Sequence, residues 1–240
     1  MVLSVVIPFY DKDFQFLERA ATSIKRHVKF NDYEIIAVDN REKEKRPIAI
    51  SGVKVISKGY NLDCFDARRF GAQHSQGDFI WNFDADDLMV GNLYRKDVKD
   101  GADVIQMFYA YNNGVKFNRR MLPVAYGANV WSRLYRADIV KDFYAKLEKP
   151  VKVFLMEDKL LFDAVCKAAR LWWYVPRIVY EYNYKGATFS ARNKDNNRAM
   201  FQNRIKDAYN GYKYVYSVLG DPLKADKIFE QAKRVAEQGY

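Results

Sequence analysis

The sequence predicts an α/β fold: a mixed, mainly parallel sheet flanked by helices, with a helical extension at the C-terminus. Three observations predict it. Short β-branched apolar runs alternate with segments of helical periodicity from Val2 to Phe83, which is the rhythm of strand-helix-strand units. The runs stop at Pro8, Asp39 and Asp84, as strands do where they reach the ligand-binding edge of a parallel sheet. Beyond about residue 190 the rhythm becomes that of two long amphipathic helices, so the chain divides into a core domain, 1–190, and a helical extension, 191–240.

Val2 to Pro8 reads as a strand buried on both faces. A helix follows, with Phe14, Leu17, Ala21, Ile24 and Val28 at three- and four-residue steps and Asp11 or Asp13 able to cap it. Tyr33 to Val38 is the next strand, ending in Asp39-Asn40 ahead of the charged loop Arg41 to Arg46. Val53 to Ile56 is a third strand, Leu62 to Ser75 a helix with a small-residue face, and Asp78 to Phe83 a fourth strand that stops at Asp84-Ala85-Asp86-Asp87. From Val104 to about Tyr126, apolar runs and the turn signal Asn112-Asn113-Gly114 predict an antiparallel hairpin. Ala137 to Leu147 and Asp158 to Ala169 read as helices, Trp172 to Val175 and Ile178 to Tyr184 as extended, with Trp172 and Trp173 expected in the core. Phe201, Ile205, Ala208, Tyr212, Val215 and Leu219 mark the first tail helix, and Asp221-Pro222 opens the second.

Composition sets the bounds on function. With 49% hydrophobic residues in 240, the chain can bury a core and falls outside disordered or collagen-like classes. Its net charge of +10 favours anionic partners: phosphate-bearing metabolites, nucleic acid or an anionic membrane. Cys64 and Cys166 lack metal-ligand spacing and read as reduced thiols. Met1 to Pro8 carries no basic stretch and too short an apolar run for a signal peptide, and no later run approaches a membrane span, so a cytoplasmic location is expected. The basic faces of the tail helices read as solvated charge or as a peripheral membrane contact.

Chemistry concentrates in two places. Asp84, Asp86 and Asp87 follow the apolar run Phe79 to Phe83. Two like charges 4 Å apart repel by about 1 kcal/mol in water but by about 4 kcal/mol at an effective dielectric near 20, so a half-buried cluster asks for a cation. Oxygen-only ligation suits Mg²⁺ or Mn²⁺, whose shell is commonly completed by water and substrate phosphate, although Asp86 or Asp87 can also cap a following helix. Glu157-Asp158 opens a predicted helix, where acids are favourable against the helix dipole; facing a cleft, one of them can serve as a general base.

Taken in order, Val5-Val6-Ile7-Pro8-Phe9-Tyr10, Glu34 to Asp39, Ala67-Arg68-Arg69-Phe70-Gly71-Ala72, Gly77 to Asp87, Trp131-Ser132-Arg133-Leu134-Tyr135-Arg136 and Met156-Glu157-Asp158 resemble the motif series of family 2 glycosyltransferases, over roughly residues 2 to 190. The resemblance implies a GT-A, Rossmann-like fold and an inverting, nucleotide-sugar-dependent enzyme. It implies that Asp39 binds the base, typically uracil, with Pro8, Phe9 and Tyr10 lining the base pocket and Arg68 near the nucleotide. It implies that Asp84 lies near ribose and metal, that Asp86 is the main ligand of Mn²⁺ or Mg²⁺, and that Asp158 activates the acceptor hydroxyl beside Glu157. The donor would be a nucleotide sugar and the acceptor a glycan, glycolipid or other hydroxyl compound, with no specific nucleic acid partner. Val38-Asp39-Asn40-Arg41-Glu42 stands where relatives have V-D-D-G-S, and the lack of Q-x-x-R-W argues against a processive polymer synthase.

Other readings remain at this stage: a non-catalytic nucleotide-sugar or nucleic-acid binding protein, or a phosphatase of the haloacid dehalogenase kind. In the latter the D-x-D normally ends the first strand, whereas here it follows two strand-helix units.

Overall fold

Strand β1 (Leu3–Phe9) is buried on both faces, as its β-branched run requires, because Val6 packs into one hydrophobic cluster while Val5 and Ile7 pack into another across the sheet. In the computed structural model, which describes residues 1–10, 14–41, 48–111, 129–153, 155–183 and 194–238, β1 pairs in parallel with β3 (Tyr33–Asp39) on one side and β5 (Phe79–Asn82) on the other. Strand β3 pairs in parallel with β4 (Lys54–Ser57). Helices α1 (Phe14–His27) and α2 (Cys64–Gln73) lie in the connections. The predicted cap for α1, Asp11 or Asp13, falls outside the described residues.

Beyond β5 the sheet turns mixed. Strand β9 (Arg133–Arg136) runs antiparallel to β5, β8 (Val104–Tyr111) antiparallel to β9, β10 (Trp172–Tyr182) parallel to β8, and β6 (Leu88–Met89) antiparallel to β10. The order is β4-β3-β1-β5-β9-β8-β10-β6, and a separate two-stranded ribbon joins β2 (Val28–Lys29) to β7 (Leu93–Tyr94). These directions place the carboxyl ends of β1, β3, β4, β5, β8 and β10 at one edge, together with the residues that enter β9 and β6. Asp39, Asp84, Asp87, Trp131 and Asn183 therefore share one rim of the sheet.

Three local expectations are corrected. Val104–Tyr111 is a full strand of the main sheet, held between β9 and β10, and the remainder of the expected hairpin, 112–128, lies outside the described residues. Its true partners lie far along the chain, which a local pattern of alternation and turn residues cannot show. The two extended stretches after residue 171 form one strand, β10, whose register shifts between Val175 and Ile178, around Pro176, which has no N–H to give a ladder. Trp173 is 40% exposed, not core: β6 meets β10 only at Tyr180 and Glu181, so among the described residues the first half of β10 has no strand on that side, and the Lys99 ammonium sits 5.6 Å from the Trp173 ring. Trp172 is half-buried against the core.

Helix α2 lies close on β1 because residue 71 is glycine: a Cβ there would come within 2.3 Å of Val6 Cγ1. Helices α3 (Ala137–Ala145) and α4 (Glu157–Ala168) cover the same face. The tail helices α5 (Lys194–Val218) and α6 (Pro222–Gln238) bury Tyr212, Val215, Tyr216, Ile228 and Ala232 in the cluster that also holds residues of α2, α3 and α4. The expected boundary at 190/191 falls outside the described residues. Among the described residues, no helix is long and apolar enough to cross a membrane. Cys64 and Cys166 are free thiols, and burial pushes both above the usual thiol range.

Candidate active site

Each acid singled out in the sequence stands where a strand stops or a helix starts. Asp84 and Asp86 follow β5, on a turn closed by the Asp87 N–H donating to the Asp84 carbonyl at 3.2 Å. No helix follows this turn; the short strand β6 does, so the capping alternative for Asp86 and Asp87 does not apply. Glu157 and Asp158 form the first turn of α4, immediately after Met156, which is held at φ 57°. A methionine in the left-handed region costs roughly 1 kcal/mol or more and persists only where its surroundings fix it. Those surroundings include α5: the Tyr212 hydroxyl donates to the Leu155 carbonyl, and Gly211 packs so tightly that a Cβ would stand 2.9 Å from Val153 Cγ1.

The two acid groups meet at Arg68, which projects from α2 and is only 4% exposed. Its guanidinium donates to Asp84 Oδ1 at 2.8 Å and to Asp158 Oδ1, with Glu157 Oε1 at 3.8 Å. Asp158 Oδ2 accepts from the Val130 N–H at 3.3 Å, tying it to the segment that enters β9. Burial opposes the charge on Arg68, but Asp158, Asp84 and Glu157 outweigh it and hold the guanidinium protonated above its usual range. Burial raises the Asp158 carboxyl against the pull of Arg68, and burial with the neighbouring Asp158 pushes Glu157 up to about 8. A base with raised proton affinity suits proton abstraction near neutral pH.

The Glu157 shift has a measurable consequence. Between its ordinary 4.5 and about 8 the folded chain binds a proton that the unfolded chain has released, so this group makes stability fall as pH rises through that window. Glu157→Gln is expected to remove the fall. Each tenfold change in proton affinity is about 1.4 kcal/mol, which sets an upper bound of about 5 kcal/mol; with the side chain 20% exposed and partly screened by water, the variant should be about 1–3 kcal/mol more stable than wild type at pH 9 and nearly equal at pH 4.5. Thermal melts across that range check it, and a constant difference would contradict the burial of this carboxyl.

Asp39 ends β3 opposite Phe9 in register, and Arg41 locks it: Nε donates to Oδ1 at 2.8 Å and a terminal nitrogen to Oδ2 at 2.7 Å. A carboxylate has about four acceptor positions, so Asp39 keeps capacity for a further donor. Arg41 also lies 5.8 Å from the Phe9 ring, and the Asn40 side chain bridges the Leu62 N–H and carbonyl. Thus Asn40 and Arg41, the departures from the family pattern, carry structural contacts. Of the expected base-pocket residues Phe9 is core, Pro8 is half-buried and Tyr10 is 39% exposed.

Among the described residues no three His, Cys, Asp or Glu side chains converge to cage a metal. The oxygen donors of Asp84 and Asp86, on one turn at the rim, fit instead an ion of the Mg²⁺ or Mn²⁺ kind that leaves most positions to water and phosphate oxygens. Asp87 cannot serve: it is 1% exposed and accepts from the Tyr180 hydroxyl and from the Asn183 N–H at 2.6 Å. Sequence reading missed Asp87, Tyr180 and Asn183 as a unit, since nothing local to Tyr180 signals a partner about 90 residues upstream.

The fold has counterparts among solved structures. The crystal structure of S. aureus TarS residues 1–349 in complex with UDP matches at a TM-score of 0.65 and 15% identity, over 97% of this chain and 70% of that one. The same protein in complex with UDP-GlcNAc matches at 0.58 and 15%, over 98% and 83%. A longer S. aureus TarS structure matches at 0.61 and 15%, over 98% of this chain and 50% of that one. At this identity the likeness is one of fold, and it supports the GT-A architecture. No curated protein matches the sequence. The sequence model for glycosyl transferase family 2 matches residues 4–156, which spans β1 through the residue before Glu157. With that match over most of the chain and the GT-A fold beneath it, the protein belongs to glycosyl transferase family 2 and is a glycosyltransferase.

Proposed function

We propose that the protein transfers a sugar from a nucleoside diphosphate donor, a UDP-sugar, to an acceptor hydroxyl with inversion. The observation that carries this reading is the buried Arg68 bridge, which brings Asp84 from the end of β5 and Asp158 from the start of α4 to one mouth. Structural neighbours that hold UDP and UDP-GlcNAc support the donor class.

In this reading Asp39 accepts a hydrogen bond from the base, while Asp84 and Asp86 would hold Mn²⁺ or Mg²⁺ against the diphosphate. When bound, the ion neutralises negative charge developing on the leaving diphosphate. Asp158 accepts the proton of the acceptor hydroxyl as it attacks the anomeric carbon from the face opposite the leaving group. Arg68 orients that carboxylate through Oδ1, and the Val130 N–H does so through Oδ2. Single displacement requires no covalent nucleophile on the protein. The acceptor is a hydroxyl of a glycan, glycolipid or similar compound.

Thermal melts and calorimetry with a panel of nucleotide sugars test the donor. A UDP-sugar at 100 times its Kd should stabilise the protein by about 2.7 kcal/mol. Asp86→Ala should abolish the Mn²⁺-dependent part of that gain. Equal stabilisation by all nucleoside diphosphates, or by none, would contradict the reading.

A further inference from the structure

Asp87 and Tyr180 are both buried, both polar and both unused by the mechanism above. Tyr180 is wholly enclosed, with Trp131 stacked on it at 4.7 Å and 11° and the Phe83 ring at 4.8 Å. Its hydroxyl therefore needs an internal partner. It has two, both on the D-x-D turn: it donates to Asp87 Oδ2 and accepts from the Asp84 N–H at 3.4 Å. Three residues on, the Asn183 N–H donates to Asp87 Oδ1 at 2.6 Å, and the Asn183 amide donates to the Asp86 carbonyl at 3.1 Å. The backbone of Asp84, the backbone of Asp86 and the side chain of Asp87 are thus each tied to the last residues of β10 or the residue after it. Beyond Asp84 the turn runs into only the two-residue strand β6, so these cross-ties, more than ladder pairing, fix where it sits.

We infer that Tyr180 and Asn183 are positioning residues, acting through Asp87 and the turn backbone to hold the carboxylates of Asp84 and Asp86 at the spacing a nucleoside diphosphate requires. The inference rests on the reading of those two acids as donor-binding. It assigns the carboxyl end of β10 to donor binding without any contact to the donor. Aromatic packing alone asks for a ring at position 180, which phenylalanine supplies; the hydroxyl is the part that the turn uses.

The test is Tyr180→Phe, which keeps the ring and its stack on Trp131, with Asn183→Ala as a second variant that leaves the buried aromatic stack untouched. UDP binding in the presence of Mn²⁺ is measured by calorimetry, and backbone hydrogen exchange is followed in the segment containing Asp84 to Asp87. Tyr180→Phe is expected to weaken UDP binding by about tenfold, as loss of a buried hydrogen bond that leaves its partner carboxyl unsatisfied implies, and to speed exchange in the turn. Asn183→Ala should act in the same direction, by less. A Tyr180→Phe protein that melts lower but binds UDP within twofold of wild type would show a merely structural hydroxyl and overturn the inference. Failure of the wild type itself to bind UDP would instead overturn the donor reading, and this inference with it.

Discussion

Asp158→Asn is expected to lower turnover by about 10²–10⁴-fold, the usual contribution of a general base, while UDP-sugar affinity stays within a few-fold of wild type. The substitution keeps the shape of the side chain but removes its ability to take a proton. It also turns one acceptor into a donor. Because Asp158 Oδ1 faces Arg68 and Oδ2 faces the Val130 N–H, the new amide must oppose one of them, at a cost of about 1–3 kcal/mol in stability. That cost is separable from the catalytic loss by measuring melting temperature, donor affinity and single-turnover rate on the same preparation. Turnover equal to wild type would remove Asp158 from the role of base.

Arg68→Met should have the largest effect on stability. Methionine fills much of the same space but leaves Asp84, Asp158 and Glu157 around a buried point with no counter-charge. Breaking a buried ion pair by removing one partner costs about 3–5 kcal/mol, because the remaining charge is uncompensated. The deficit carries a pH signature. Protonated carboxyls need no cation, so the variant should be closest to wild type near pH 5 and fall further behind as pH rises to 8. Urea titrations at the two pH values check this. A loss under about 1 kcal/mol at pH 8 would mean that water, not Arg68, satisfies these acids.

Much of this site was legible in the sequence, and the reason is physical. Strands buried on both faces cannot be mistaken for amphipathic ones, so Val2 to Pro8 and Phe79 to Phe83 announce themselves, and an acid directly after such a run has to stand at a sheet end. Asp39 and Asp84 were readable on that basis, and Glu157-Asp158 as acids that open a helix. Arg68 was readable as a residue of interest but not as a bridge, because its placement depends on how α2 lies over β1, which the glycine at 71 permits. The Arg41 lock on Asp39 was hidden for a different reason: in a charged loop one arginine looks like any other. Long-range pairing hid the rest. Val104–Tyr111 looked like one arm of a hairpin because nothing in its own residues names β9 and β10 as neighbours. Trp173 looked like core because its exposure follows from where β6 stops.

The grip of α5 on the stretch before α4 acts at a distance along the chain. Tyr212 and Gly211 pack on the residues just before the left-handed Met156, from which Glu157 and Asp158 depart, so the start of α4 is braced by a part of the chain outside the candidate site. A substitution at Gly211 or Tyr212 is therefore expected to disturb the first turn of α4, although both residues lie more than fifty positions further along the chain.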